Sequence, residues 1–352
     1  MEKKLVKKEV YFAAANGYTG FRSYFDEVFK PTDYDAIYVI KGGPGTGKSS
    51  FMRRISAELS GEADGVEEIL CSSDPGSLDG VIIRLGDKSV ALLDGTAPHE
   101  CDADIPGAIG CIINLGASWD ARWLRSKRDK IISLSEQKKK AYRAAYHYLR
   151  ICGISATAIN GEKKLFLDNN IIISLIKHTA ELIDGAESGK QRTRLISAFG
   201  KSGYITIPTL GELCSKQYTA IGNPSAISAY LSRLIEYLCN KSVAHTVFRS
   251  PLDKDEIEGV FIPSIGISIS KFEGGEHIDL TSAFDKPRAE QASCLKVSEE
   301  IYERAYAEAE RWFYIASDLH SRLEEIYGEA MNFDMVDLIY DEVSRDIRSI
   351  LF

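Results

Sequence analysis

The stretch Lys41-Gly-Gly-Pro-Gly-Thr-Gly-Lys-Ser-Ser50 decides the fold, because residues 42 to 49 match the phosphate-binding pattern GxxxxGK[ST]. It follows residues 35 to 40 (DAIYVI), a β-branched and aromatic run that predicts a buried strand. After it, apolar residues recur at helical spacings of three and four (Phe51, Met52, Ile55 and Leu59). Strand, loop and helix therefore stand in the order that a phosphate-binding loop requires.

Each residue type in this loop suits a triphosphate. Gly43, Gly45 and Gly47 let the backbone curl so that successive N–H groups point inward and form an anion nest. The helix that begins near Lys48 adds its positive dipole end, and the Lys48 ammonium reaches the β- and γ-phosphates. The loop predicts binding of a nucleoside triphosphate with Mg²⁺, and ATP is the default nucleotide. The expected contacts are Gly42, Gly43, Pro44, Gly45, Thr46, Gly47, Lys48, Ser49 on the metal, and Ser50 at the α-phosphate.

A second signal is the carboxylate of Asp94. Residues 89 to 93 (SVALL) predict a buried strand that ends there, and a carboxylate at the end of a strand beside the loop is where such folds hold magnesium. Without the loop, Asp94 would be interpreted as a turn former. With the loop, Lys48 and Asp94 are the predicted catalytic groups. Gly95 follows Asp94, so the water-activating glutamate of many ATPase motors is missing at that position.

Two polar segments are expected on the same side of the sheet. Residues 71 to 80 (CSSDPGSLDG) follow a strand-like run at 66 to 70, and residues 96 to 99 (TAPH) follow Asp94. Serine, aspartate, proline and glycine commonly initiate turns, which is the simpler interpretation of both segments. The functional interpretation makes Asp74, Asp79 and His99 groups that support the nucleotide site or contact an acceptor.

Composition excludes several classes of protein. The chain has 352 residues, of which 44% are hydrophobic and 27% charged, enough for two domains with buried cores. A net charge of -8 argues against a nonspecific coat for nucleic acid. Seven scattered cysteines without a CxxC pair predict reduced thiols rather than disulfides, which fits the cytoplasm. The residues after the four lysines of positions 1 to 8 are too polar for an export signal, and no run is long enough to span a membrane.

The sequence also contains an internal repeat. Residues 14 to 21 (AANGYTGF) match residues 197 to 204 (SAFGKSGY) at an offset of 183. Further matches follow in chain order: 42 to 44 with 222 to 224, 79 to 83 with 258 to 262, 113 to 115 with 278 to 280, and 119 to 120 with 284 to 285. Because these offsets only shrink, from 183 to 165, they indicate a duplication with loop deletions.

The second copy lacks the features of the first loop. Its equivalent, residues 222 to 229 (GNPSAISA), has no lysine and a single glycine, so the anion nest and its charge are both lost. The segment that would match Asp94 to His99 is deleted as well. Nucleotide hydrolysis is therefore expected in the first half alone.

Each half ends in a charged helical segment of opposite sign. Residues 122 to 150 contain ten lysines and arginines against two acids, whereas residues 299 to 329 contain nine acids against three arginines. Such runs are usually solvated helix faces. The alternatives are attraction between the two helical units, self-association, or contact of the basic segment with an anionic partner.

The strings KGGPGTGKSS, CSSDPGSLDGVII and VALLDGTAPH, in this order, resemble a bacterial family of duplicated P-loop ATPase-like proteins. The resemblance covers nearly the whole chain and implies a nucleotide-binding fold in each half. It carries residues 42 to 49 and Asp94 over as phosphate and magnesium contacts, and it favours functional roles for Asp74, Asp79 and His99. Members of this family often keep the second loop intact, whereas this chain does not.

Together these observations predict two doubly wound α/β units with parallel sheets, each followed by a helical segment. Residues 1 to 190 form the nucleotide-binding unit and residues 191 to 352 the degenerate repeat. The expected function is a Mg²⁺-dependent ATPase active in the first half. A P-loop small-molecule kinase, and a nucleotide-operated switch or scaffold with negligible turnover, remain open as alternatives.

Overall fold

In the computed structural model, which describes residues 7–98, 101–164, 167–284 and 289–352, the chain forms two six-stranded sheets, each followed by helices. The strands of the first half are β1 (Lys7–Phe12), β2 (Ala14–Gly17), β3 (Gly20–Ser23), β4 (Ala36–Lys41), β5 (Gly65–Leu70), β6 (Leu78–Leu85), β7 (Lys88–Asp94) and β8 (Gly110–Asn114). Those of the second half are β9 (Gln191–Arg194), β10 (Ser197–Gly200), β11 (Gly203–Thr206), β12 (Lys216–Ile221), β13 (His245–Arg249), β14 (Ile257–Ile262), β15 (Ile267–Ser270) and β16 (Glu276–Asp279). The helices are α1 (Phe25–Val28), α2 (Lys48–Leu59), α3 (Ala121–Ser126), α4 (Arg128–Lys164), α5 (Asn169–Leu182), α6 (Thr209–Leu213), α7 (Pro224–Asn240), α8 (Ala289–Glu329) and α9 (Phe333–Leu351).

The sequence predicted parallel sheets. The observed sheets are largely parallel, but each is mixed. In the first sheet, of order β1-β5-β6-β7-β4-β8, β6 pairs antiparallel with both of its neighbours. Only Gly86 and Asp87 separate β6 from β7, and Gly86 has a φ of 61°. A connection of two residues can join only antiparallel strands, so the expected alternation of strand and helix fails between residues 65 and 94.

The second sheet repeats the topology of the first. Its order is β9-β13-β14-β15-β12-β16, and β14 is the antiparallel strand. Each half also carries a two-stranded hairpin after its first strand, β2–β3 in one and β10–β11 in the other. The duplication predicted from the shrinking offsets is therefore visible in the strand order.

The two halves meet edge to edge. Phe12 at the end of β1 and Leu195 after β9 exchange both backbone hydrogen bonds, at 2.8 and 3.1 Å. Their separation of 183 residues equals the offset of the sequence repeat, so this contact lies where the two copies are related to each other. Beside it, the buried carboxylate of Glu67 on β5 pairs with Arg192 and Arg194 from β9.

The long helices α4 and α8 pack antiparallel and carry later segments across to the other half. Leu134 packs near Leu323, Tyr142 contacts Phe313, and Cys152 lies against Tyr302. Residue numbers therefore rise along α4 in the direction in which they fall along α8. The helix that follows α4, α5, packs on α7 of the second half. The helix that follows α8, α9, packs on the first sheet with its buried face.

The charges on these helices lie mostly in solvent. In the fully described stretch from 122 to 150, nine of the ten basic residues are exposed, and the contact with α8 is formed by leucine, alanine and aromatic side chains. The interpretation of solvated helix faces is confirmed for this stretch. Lys138, which is half-buried, is the exception.

Burial on α9 predicts a matched pair of effects on stability. Ile347 has 0% exposure against the first sheet, so Ile347→Val should lower the free energy of unfolding by about 1 kcal/mol through one lost buried methylene. The same substitution at Ile154 of α4, which is 73% exposed, carries only the small helix-propensity term. Chemical denaturation of both variants measures the difference, and equal losses would contradict the packing of α9 on this sheet.

Two predictions from the sequence concern membrane-spanning helices and the state of the cysteines. Among the described residues, no helix combines the length and the apolar character needed to cross a bilayer. The six cysteines whose side chains are described are all free thiols, in agreement with the prediction of reduced cysteines.

A candidate nucleotide site between the two halves

The predicted strand, loop and helix are confirmed as β4, residues 42 to 47 and α2. Gly45 and Gly47 adopt the left-handed φ values of 68° and 85°, which a side chain would strain. Thr46 is buried, and its hydroxyl donates to the carbonyl of Gly43 at 2.9 Å, which closes the loop on itself. Ser50 is exposed on the first turn of α2. The loop therefore curls as its glycines predict.

Lys48 begins α2 and turns back over the loop. Its ammonium donates to the carbonyls of Gly42 and Gly43, at 3.0 and 2.9 Å. Asp94 ends β7, the strand beside β4, and one carboxylate oxygen lies 3.6 Å from the Lys48 ammonium. Burial raises the pKa of Asp94, and the Lys48 charge acts in the opposite direction. The two predicted catalytic groups are thus brought together at the carboxyl edge of the sheet.

The oxygen groups at this edge suit a magnesium ion. The Asp94 carboxylate is 17% exposed, and its other oxygen accepts from the backbone and hydroxyl of Thr96. Ser49 stands on the first turn of α2, where its hydroxyl accepts from the backbone N–H of Leu78 at 2.9 Å. Because Mg²⁺ takes few protein oxygens and completes its shell with water and phosphate, Ser49 and Asp94 fit it.

The other predicted residues have mixed outcomes. Asp74 stabilises its turn by accepting from the backbone of Gly76, and it also pairs with Lys201 of the second half at 2.7 Å. Asp79 lies inside β6 rather than in a loop and is 6% exposed. Its charge raises the pKa of Asp94, which places it near the site, although it stands in the strand that reverses direction. His99 lies outside the described residues.

Helix α8 from the second half covers the loop. The position that a Cβ would take on Gly45 overlaps the backbone of Glu324, and the same position on Gly43 lies 3.2 Å from the ring of Tyr327. The indole of Trp119 packs beside Tyr327 with a centroid distance of 5.8 Å. Glycine is needed here because another backbone and an aromatic ring approach the loop closely.

A chain of polar side chains extends from this contact. The ammonium of Lys138 on α4 lies 3.2 Å from Nδ1 of His320, and Nε2 of His320 lies 3.6 Å from the carboxylate of Glu324. Burial, with the charges of Lys138 and Lys48, lowers the pKa of His320 to about 4, so the ring is neutral near pH 7. An ammonium only donates, so Nδ1 accepts and the Nε2–H faces Glu324.

The carboxylate of Glu324 interacts with charged residues from several elements of the site. Burial raises its pKa and the charge of Asp74 raises it further, while Lys48, Lys201 and Lys138 act in the opposite direction. These interacting charges come from the first loop and the start of α2, the β5–β6 connection, α4, α8 and the β10–β11 turn. Sequence reasoning missed Lys138, Lys201, His320 and Glu324, and the one available signal was Lys138, which falls on the buried spacing of α4 near Leu134 and Ala141.

The second loop has become part of a helix. Two residues separate β12 from α7, against six between β4 and α2. Asn223 caps α7 by accepting from the backbone N–H of Ser225 at 3.0 Å, so the chain enters the helix at once. The backbone groups that would form an anion nest are consumed by this early helix start.

The candidate site thus combines one loop with side chains from both halves of the chain. Neither a scan against protein-family models nor searches of curated proteins and of solved structures found a match for this chain.

Proposed function

We propose that this protein is a Mg²⁺-dependent ATPase of the P-loop type that binds one triphosphate at residues 42 to 49. The observation that carries the proposal is the loop itself, with left-handed Gly45 and Gly47 and the Lys48 ammonium folded over it, 3.6 Å from Asp94. Lys48 now donates to loop carbonyls, which a triphosphate would replace as the acceptor. Charge on the transferred phosphoryl group would be stabilised by this ammonium and by the loop N–H groups.

Hydrolysis needs a group that orients or deprotonates water, and Gly95 occupies the position where many ATPases carry that acid. The backbone of Glu324 on α8 lies against the loop, and burial raises the pKa of its carboxylate, which interacts with the charge of Lys48. We assign this carboxylate the role of general base. Its neutral neighbour His320 helps to orient it through Nε2–H. The magnesium, held by Ser49 and Asp94, would supply Lewis-acid stabilisation of phosphate charge.

Glu324→Gln should separate binding from turnover. The amide keeps the size of the side chain but cannot accept a proton, so kcat should fall by about 100-fold or more with little change in ATP affinity. Glu325→Gln, at the next and exposed position, is the matched control. Phosphate release measured together with ATP titration gives both quantities, and unchanged kcat in Glu324→Gln would remove this residue from the mechanism.

The proposed function as a whole is tested by thermal denaturation with a panel of nucleotides, with and without Mg²⁺. A Mg²⁺-dependent rise in melting temperature with a triphosphate is expected, and no rise with any triphosphate would overturn the proposal. Labelled ATP then distinguishes the reactions. Free phosphate in the absence of an acceptor supports an ATPase, whereas label that moves only to an added metabolite supports a kinase.

A nucleotide-operated switch is the second candidate, and the cover of the loop by α8 favours it. Because the backbone of Glu324 rests on Gly45, a triphosphate entering the loop would act directly on α8 and on the helix pair that it forms with α4. Tight ATP binding without phosphate release, accompanied by changed proteolysis of α8, is the expected outcome for a switch.

A further inference from the structure

The register of the duplication extends through the long helices. At an offset of 164, Ala141, Tyr142 and Ala145 of α4 correspond to Ala305, Tyr306 and Ala309 of α8. All four of these alanines are buried in the contact between the two helices, with exposures of 5% or less. Each residue on α4 can therefore be compared with the residue that occupies the equivalent place in the other half.

At the ends of the helix pair, equivalent positions in the two halves carry different types of residue. In this register, Lys138 near the intact loop corresponds to Tyr302, and the hairpin offset of 183 makes Lys201 correspond to Tyr18. Tyr18 and Tyr302 meet in the structure, with their hydroxyls 2.9 Å apart and their rings edge to face. Two phenols that contact each other thus occupy the positions equivalent to Lys138 and Lys201.

The two lysines belong to the group of charges around Glu324, whose backbone lies against Gly45 of the intact loop. Lys201, in the turn between β10 and β11, pairs with Asp74 at 2.7 Å, and Lys138 lies 3.2 Å from His320. Burial lowers the pKa of Lys138, and the charges of Lys139 and Lys48 lower it further, while Glu324 raises it. The charges of Lys138 and Lys48 repel each other, and a phosphate oxygen between them would reduce this repulsion.

We propose that Lys138 and Lys201 contact the terminal phosphate of the triphosphate bound at the loop, and that they give the protein its preference for triphosphates over diphosphates. This inference rests on the proposed function and adds a second, trans-half set of ligands to it. Lys201 would exchange its partner Asp74 for a phosphate oxygen, and Lys138 would exchange His320. Cations placed at the γ-phosphate from outside the loop stabilise the charge that develops during phosphoryl transfer.

The test compares ATP and ADP affinities, each with Mg²⁺, in the full-length protein. Lys138→Met and Lys201→Met should each weaken ATP binding roughly ten- to hundredfold, since each removes a charge-assisted contact, and should leave ADP binding nearly unchanged. Lys139→Met is the matched control, because it removes the same charge from an exposed position on the same helix. Its ratio of ATP to ADP affinity should equal that of the wild type.

A double variant, Lys138→Tyr with Lys201→Tyr, copies the pair that the chain already accommodates at the opposite end, so it guards against variants that fail to fold. It should bind ADP as the wild type does and lose the preference for ATP. An unchanged ratio of ATP to ADP affinity in these variants would overturn the inference. A wild type that binds neither nucleotide would instead overturn the proposed function, so the two failures are distinguishable.

Discussion

Lys48→Ala should remove most of the stabilisation of the protein by nucleoside triphosphates. At a nucleotide concentration about 100 times the Kd, binding adds about 2.7 kcal/mol to the free energy of unfolding. The Lys48 side chain is 12% exposed, and its ammonium already lies against the carbonyls of the loop, where the β- and γ-phosphates would sit. Loss of charge-assisted contacts to two phosphates should weaken binding by about 100-fold or more.

The measurement is the shift in melting temperature across a titration of ATP and Mg²⁺. Lys130→Ala, which removes the same charge from an exposed position on α4, should shift as the wild type does. In the nucleotide-free protein, Lys48→Ala should also raise the pKa of Asp94 further, because the Lys48 charge that lowers it is removed. Equal ATP affinity in Lys48→Ala and the wild type would contradict the proposed role of the loop.

Glu67→Gln should cost about 3–5 kcal/mol of stability by breaking a buried ionic cluster between the halves. The Glu67 side chain has 0% exposure, and its two oxygens accept from Arg194 at 2.5 Å and from Arg192 at 3.0 Å. Arg194 is itself only 5% exposed, so the substitution leaves a buried guanidinium without its counter-charge. Arg84 adds a weaker contact at 3.3 Å from within the first sheet.

The same cluster predicts how stability depends on pH. Burial alone would raise the pKa of Glu67, but the charges of Arg194, Arg192 and Arg84 outweigh it and lower the pKa from 4.5 to about 2. Because the folded-state pKa is depressed, the contribution is present above about pH 4.5 and is lost as the pH falls towards 2. At 1.36 kcal/mol per pH unit, this contribution is about 3 kcal/mol.

Urea denaturation at pH 7 and at pH 3 measures both effects. Glu67→Gln should be destabilised at pH 7 and should lose less stability on acidification than the wild type. Glu62→Gln is the control, because its partly exposed pair with Arg348 should contribute no more than about 1 kcal/mol. Equal losses in the two variants at pH 7 would contradict a strong ionic link between the halves.

The sequence by itself determined the features that depend on contiguous residues. The strand at 36 to 41, the glycines of the loop and the helix from Lys48 follow from local spacing and backbone freedom. The position of Asp94 at the end of a strand, the duplication and the loss of the second loop were also predictable. Each is encoded in a short window, where side-chain type and conformational preference are directly linked.

Tertiary structure alone decided which distant segments meet. The chain reverses direction at the two-residue turn after β6. The turn by itself does not show which strands pair in the sheet. The helices α4 and α8 have periodic apolar faces, but periodicity states that a face is buried and does not identify its partner. The antiparallel packing of these faces carries α8 across to the first loop and brings Lys138 and Glu324 near Lys48. Lys201 reaches the same group of charges from the β10–β11 turn. Residues more than a hundred positions apart share one site because the packing of the helix seam, and no local pattern, sets their distance.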